Sequence, residues 1–153
     1  MSSEYKEPWI YPMEIDEPES RYGLEEFELY KSARHYRKRI YKVIKCLPSE
    51  EKYALGLQMR KAIVSVTNNI AEGHGRWHFK ENIKFCRIAR GSTEEIIDDL
   101  NVCIDEKYYS VSDCGELKKE GYELIRMING YISYLNKTKS EFRSKHDTGL
   151  NTA

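Results

Sequence analysis

Apolar residues recur along this chain at alternating three- and four-residue steps, the spacing that lines one face of an α-helix. The first such segment, about 25–46, puts Leu29, Ala33, Tyr36, Ile40, Val43 and Leu47 on one stripe, widened by Tyr41 and Ile44. Pro48 stops it, because the ring lacks an N–H and restricts the residue before it. Ser49 is then the expected N-cap of a second helix running to about Glu72, with Glu50 and Glu51 favourable near its positive end. There Tyr53, Leu57, Val64 and Ala71 form the stripe, and Leu55, Met59, Ala62, Val66 and Ile70 the flank. Gly73 and Gly75 should end that helix in the left-handed cap conformation, which glycine adopts without a Cβ clash.

A third helix is predicted from about His78 to Lys107. It carries two stripes, Ile83, Cys86, Ile97, Leu100 and Ile104, and Phe85, Ala89, Ile96 and Cys103. Two stripes predict either two contact surfaces, the core and another subunit, or one broad core. The fourth helix is predicted from about Asp113 to Lys137 behind a cap at Ser112, with Leu117, Gly121, Leu124, Ile128, Tyr131 and Leu135 in heptad-like order. Gly121 costs about 1 kcal/mol relative to alanine, which close approach of another helix would offset. Short connections and no strand-like alternation make the fold all-α, an antiparallel up-down-up-down four-helix bundle over 24–137. A flexible acidic arm (1–23, with Pro8, Pro12 and Pro18) precedes it, and a frayed polar tail (138–153) follows.

Length and composition narrow the class. The 153 residues suit one domain. No apolar run approaches the roughly 18–20 residues of a membrane span, and the first residues lack a signal-peptide pattern. A soluble, cytoplasmic protein with no membrane partner is expected. Cys46, Cys86, Cys103 and Cys114 form no CxxC and no zinc-ligand spacing, so they read as small buried apolar groups.

Charge sums to zero, with 25 bases and 25 acids, but it is segregated. Acids dominate 1–28. The stretch 29–45 carries Lys31, Arg34, Arg37, Lys38, Arg39, Lys42 and Lys45 and no acid. Bases dominate again over 60–90, and Glu94, Glu95, Asp98, Asp99, Asp105 and Glu106 then reverse the sign. Such blocks create local fields where the total cancels. Arg34, Arg37, Lys38, Lys42 and Lys45 are predicted to form a basic stripe on helix 1, continued by Arg76, Lys80, Lys84 and Arg87 near the helix 2–3 turn. Phosphate contacts of this kind are salt-dependent and sequence-tolerant. Trp77 and Tyr36 are candidates for base stacking, although core packing is the commoner fate of either. The acidic blocks offer the opposite reading, neutralisation of the band or pairing between subunits.

A polar stripe interrupts the apolar faces. Ser65, Asn69 and Glu72 on helix 2, and Ser92 and Glu95 on helix 3, predict a hydrogen-bonded network across the contact, with Arg60 as partner of a buried carboxylate. Catalytic constellations are missing from the pattern. No Glu-x-x-His occurs for a di-metal site, and the predicted turn separates His74 from His78. Gly73-x-Gly75 has neither a preceding strand nor a Lys-Ser/Thr for a phosphate loop. The expectation is a protein that is not an enzyme and needs no metal or cofactor.

The string Ser65-Val66-Thr67-Asn68-Asn69-Ile70-Ala71-Glu72-Gly73-His74-Gly75-Arg76 resembles the signature of the bacterial four helix bundle protein family. That family includes proteins encoded in the intervening sequences of 23S ribosomal RNA genes and the accessory variability protein of diversity-generating retroelements. Gln58-Met59-Arg60-Lys61-Ala62, Phe85, Ala89-Arg90-Gly91-Ser92, Glu95 and Tyr108 extend the likeness over roughly residues 27–136. Thr67 departs from it, standing where proline is common, and the acidic arm is longer than usual. The resemblance implies a left-handed bundle assembled into a ring-like homopentamer. For the retroelement members it implies binding of nucleic acid and a reverse transcriptase through a basic surface. It implies no enzymatic activity. The function expected is thus a non-catalytic, homo-oligomeric accessory protein that binds RNA or DNA, with an oligomeric scaffold or protein-interaction module as the alternative.

Overall fold

The computed structural model describes residues 23–76 and 78–147. A 3-10 turn at Leu24–Glu26 leads into α1 (Glu28–Cys46), and a second at Ser49–Glu51 precedes α2 (Leu55–His74). Then come α3 (Phe79–Asp105) and α4 (Val111–Asp147). No strand occurs among the described residues, so the protein is an all-α four-helix bundle.

Each helix packs against its chain neighbours, and α1 closes the ring against α4. Helices α1 and α2 meet at Phe27–His74 and again at Arg37–Thr67. Helices α2 and α3 meet at Gly73–Asn82 and Ser65–Ser92. Asn82–Tyr131 and Asn101–Lys118 join α3 to α4, and Phe27–Tyr131 and Arg39–Glu120 join α4 to α1. In every pair, numbers rise on one helix as they fall on the other, so neighbours run in opposite directions. Helices α1 and α3 occupy opposite corners.

The core is built from fully buried Tyr36, Ile40, Met59, Ile63, Ile70, Ile96, Leu100 and Ile128. On α2 the predicted flank is the inward face. Leu55, Met59, Ala62, Val66 and Ile70 are buried, whereas Tyr53 and Leu57 are exposed and Val64 and Ala71 half-buried. Periodicity identifies a stripe but cannot choose between adjacent ones, and contact with both α1 and α3 selects the face containing Ala62, Ile63 and Val66. On α3 the two predicted stripes merge into one broad core face, since Ile83, Cys86, Ala89, Ile96, Ile97, Leu100 and Cys103 are all buried.

The caps differ from expectation. Ser49 makes no side-chain cap bond. The carboxylate of Glu51 instead accepts from Leu55 N–H at 3.1 Å and from the Tyr108 hydroxyl at 3.0 Å, tying the start of α2 to the α3–α4 turn. Ser110, not Ser112, accepts from the N–H of Asp113. No glycine among the described residues has positive φ. The left-handed cap sits at Lys107 (φ 59°), where Tyr108 N–H bonds Cys103 C=O and Lys107 N–H bonds Ile104 C=O. Helix α4 continues to Asp147, so residues 138–147, expected as tail, are helical. The proposed arm up to Tyr22, Trp77, and residues 148–153 lie outside the described residues.

Glycine serves this fold through close approach. A Cβ on Gly73 would lie 2.7 Å from Asn82 Oδ1 and 3.2 Å from Phe85 Cβ. A Cβ on Gly121 would lie 2.7 Å from the Tyr36 hydroxyl oxygen and 3.0 Å from Ile97 Cγ1. Gly121→Ala should therefore destabilise despite alanine's better helix propensity, by about 1–3 kcal/mol of overpacking. A lower midpoint in thermal denaturation checks this; an unchanged or higher one would show that the contact can relax.

Candidate nucleic-acid interface

Helix α1 buries Leu29, Ala33, Tyr36, Ile40 and Val43, which forces the intervening positions outward. Arg34, Lys38, Lys42 and Lys45 are exposed at steps of four, four and three, on the side away from the core. They span about 16 Å of helix at 1.5 Å per residue. None of the four makes an ion pair among the described residues. Their neighbours are engaged. Lys31 pairs with Glu28 at 2.7 Å, Arg39 pairs with Glu120, and His35 lies 3.7 Å from the same carboxylate. Arg37, predicted in the stripe, is half-buried and donates to Thr67 Oγ1 at 2.7 Å, binding α1 to α2. Tyr36, a stacking candidate in the sequence, is wholly in the core. The acidic residues Glu94, Glu95 and Asp98 sit on α3, the corner opposite α1, and form no ion pair with the stripe.

The remaining predicted bases form a separate patch. Lys80, Lys84 and Arg87 are exposed on the first half of α3. Arg76 is bound to Glu72 and stands 5.4 Å from the Phe85 ring centroid, a cation–π geometry. Two residues absent from the predicted set join this patch. Lys139 and Arg143, on the last turns of α4, lie close enough to Lys80 that the three cations repel; with partial desolvation as the larger cause, this holds the Lys139 ammonium below its ordinary pKa. They escaped notice because the polar composition of 138–147 masks a continuing helix.

The polar seam between α2 and α3 is smaller than expected. Ser65 Oγ and Ser92 Oγ are 2.8 Å apart, and the Asn69 side-chain amide donates to Ser65 C=O and Oγ at 2.8 and 3.0 Å. Glu95 is exposed and takes no part. Arg60 donates weakly to Lys52 C=O at 3.5 Å rather than to a carboxylate, and Glu72 serves Arg76. Glu95 follows Ser92 by three residues, about 60° round the helix, and that offset takes it from the seam to solvent.

An open cleft of about 330 Å³ lies between α1 and α4, lined by Lys31, His35, Tyr36, Glu120, Leu124 and Met127 among others. Ser32 shares that lining with the His35–Glu120 pair. No three His, Cys, Asp or Glu side chains gather as metal ligands, and no helix is long and apolar enough to cross a membrane, both among the described residues.

The sequence profile of the 23S rRNA-intervening sequence protein family matches residues 25–130, which includes α1, α2, α3 and half of α4. The chain belongs to this family. A crystal structure from Bacteroides thetaiotaomicron, of a protein with unknown function from the S23 ribosomal protein family, superposes with a TM-score of 0.64. The match covers 68% of this chain and 97% of that one at 19% identity, a likeness of fold alone. No functionally curated protein matches the chain.

One carboxyl lies in the interior. Asp99 is only 2% exposed, and its Oδ2 has no hydrogen-bond partner. Asp99 follows Ile96 by three residues and precedes Cys103 by four, in register with the core, a period that could have found it. Desolvation, then the nearby charges of Glu95 and Asp98, push its carboxyl up to about 7. The folded form thus holds its proton to near neutrality, whereas an unfolded aspartate releases it near pH 4. Stability from this group is greatest below about pH 4 and is lost as pH rises through about 7. Asp99→Asn should raise the thermal midpoint by several degrees at pH 8, and the gain should shrink steadily toward pH 4. A gain independent of pH would contradict the buried, proton-holding carboxyl.

Proposed function

We propose that this protein is a non-catalytic accessory protein that binds RNA or DNA through the outward face of α1, and that it works as a homo-oligomer. The observation that carries the reading is the row Arg34, Lys38, Lys42 and Lys45, exposed, without an ion pair among the described residues, and remote from the acidic face of α3. Four cations on one rigid helix present a line of charge that a phosphate backbone matches without base recognition. The Lys80, Lys84, Arg87, Lys139 and Arg143 patch lengthens the footprint at another corner. Repetition by symmetry would join such short rows into a band, as the ring-like pentamer implied by the family resemblance would do. A reverse transcriptase is a natural protein partner in that setting, and the cytoplasm the natural compartment.

The test is fluorescence anisotropy with a labelled single-stranded RNA and a labelled DNA duplex across a salt series. Four neutralised phosphates give a slope of log affinity on log salt of about −3 to −4, a loss of roughly 50- to 150-fold between ~50 and ~200 mM salt. Arg34→Glu, Lys38→Glu and Lys42→Glu together should abolish binding while helicity and melting stay near wild type. Binding that survives the triple change, or that ignores salt, would refute this face as the interface. Absence of binding by the wild type would leave the oligomeric scaffold as the function.

A further inference from the structure

The exposed cations of α1 have an acidic counterpart in their own chain. Residues 1–22, outside the described residues, hold six acids against Lys6 and Arg21. Four of the six, Glu14, Asp16, Glu17 and Glu19, fall within six residues that contain no base. This segment is attached beside the stripe. Glu26 N–H bonds Gly23 C=O at 3.0 Å and Phe27 is buried, so the chain enters the bundle at the first turn of α1. From Glu28, Arg34, Lys38 and Lys42 stand about 9, 15 and 21 Å along the axis. Glu19 and Glu14 precede Gly23 by four and nine residues, an extended reach of about 13 to 30 Å. Carboxylates and cations therefore cover the same range of distances from nearly one anchor. The acids fixed in the bundle offer no such match. Glu120 holds Arg39, and Glu94, Glu95 and Asp98 lie at the opposite corner.

We infer that the outward face of α1 is an interaction surface for the acidic segment Glu14–Glu19 of its own chain, and that this segment competes with nucleic acid for Arg34, Lys38 and Lys42. A tethered segment meets its site at an effective concentration in the millimolar range. A contact too weak to hold two separate molecules together therefore suffices. The competition is uneven by partner. A long phosphate backbone gains from the release of its condensed counterions, a gain that four carboxylates on a short peptide do not have. The segment thus screens the stripe against short anions and yields to a long polyanion. The competition rests on the nucleic-acid reading of this face; the contact itself does not.

Zero-length carbodiimide coupling, which joins a carboxylate to an amine in contact with it, tests the surface in the full chain. At low salt, mass spectrometry should find Asp16, Glu17 or Glu19 joined to Lys38 or Lys42 within one chain, and the links should vanish at ~1 M salt. In the anisotropy assay, Asp16→Asn, Glu17→Gln and Glu19→Gln together should tighten RNA binding about 3- to 10-fold at ~50 mM salt, with the gain shrinking as salt rises. Glu94→Gln, Glu95→Gln and Asp98→Asn on α3 change the net charge equally and should leave the affinity near wild type. Absence of the links, links only between two chains, or equal tightening by the α3 set would each overturn the contact. The two ideas fail separately. Links in a protein that binds no RNA would sink the α1 nucleic-acid interface and leave the contact standing. RNA binding with no links and no response to the arm substitutions would sink the contact alone.

Discussion

Helix α4 presents no side chain at the place where α1 directs its largest buried one. The Tyr36 ring fills the space over Gly121, and its hydroxyl sits buried without a hydrogen-bond partner, with Glu120 and Arg39 nearby. Burial, and then the Glu120 charge, raise that hydroxyl above the ordinary tyrosine range, so it stays neutral. Every other contact between α1 and α4 depends on this approach. Arg39 reaches Glu120 only because the backbones are close, and Phe27 meets Tyr131 at a centroid distance of 5.0 Å only because the helices remain aligned toward that end. Gly73 plays the matching part between α2 and α3, where it admits Asn82, which in turn donates to the Tyr131 hydroxyl at 3.0 Å.

That geometry decides which charges are free. A helix anchored by Leu29, Ala33, Tyr36 and Ile40 has one rotational setting, and the setting sorts its seven bases into roles. Arg37 and Arg39 flank the core and reach α2 and α4. Arg34, Lys38, Lys42 and Lys45 point away and form no ion pair among the described residues. The exposed cations are therefore a consequence of core packing rather than a separate design, and the acidic run on α3 cannot reach them across the bundle.

Much of this was legible in the sequence, for physical reasons that differ by element. The four helices and the inward faces of α1 and α4 follow from periodicity, because each has a single apolar stripe. Helix α2 was harder, since Ala62, Ile63, Val64 and Val66 make it apolar nearly all round and the stripe from Tyr53 to Ala71 competes. The cost of Gly121 pointed to close approach, whereas Gly73 looked like a cap because both uses place glycine near a helix end. Exposure of Arg34, Lys38, Lys42 and Lys45 could be anticipated, but the diversion of Arg37 to Thr67 depends on a helix thirty residues away in sequence. Asp99 and the Lys139–Arg143 extension were hidden by composition, which suggested water where one is buried and disorder where the other is helical.

The two ends of the bundle are chemically unlike. Around Phe27, His74, Asn82 and Tyr131 the cement is aromatic ring contact and a hydrogen bond from the Asn82 amide to the Tyr131 hydroxyl. Around the α3–α4 turn it is a set of weak acids held uncharged: Asp99, Cys103 near 12, Cys114, Tyr108 and Tyr109, all raised chiefly by burial except Tyr108, where the bond to Glu51 leads. At the aromatic end burial likewise pushes the Cys86 thiol, bonded to Asn82, up to about 12, so rising alkalinity charges both ends and the turn with more groups. The greater load therefore falls where α3 turns into α4, the end at which buried acids stand closest together.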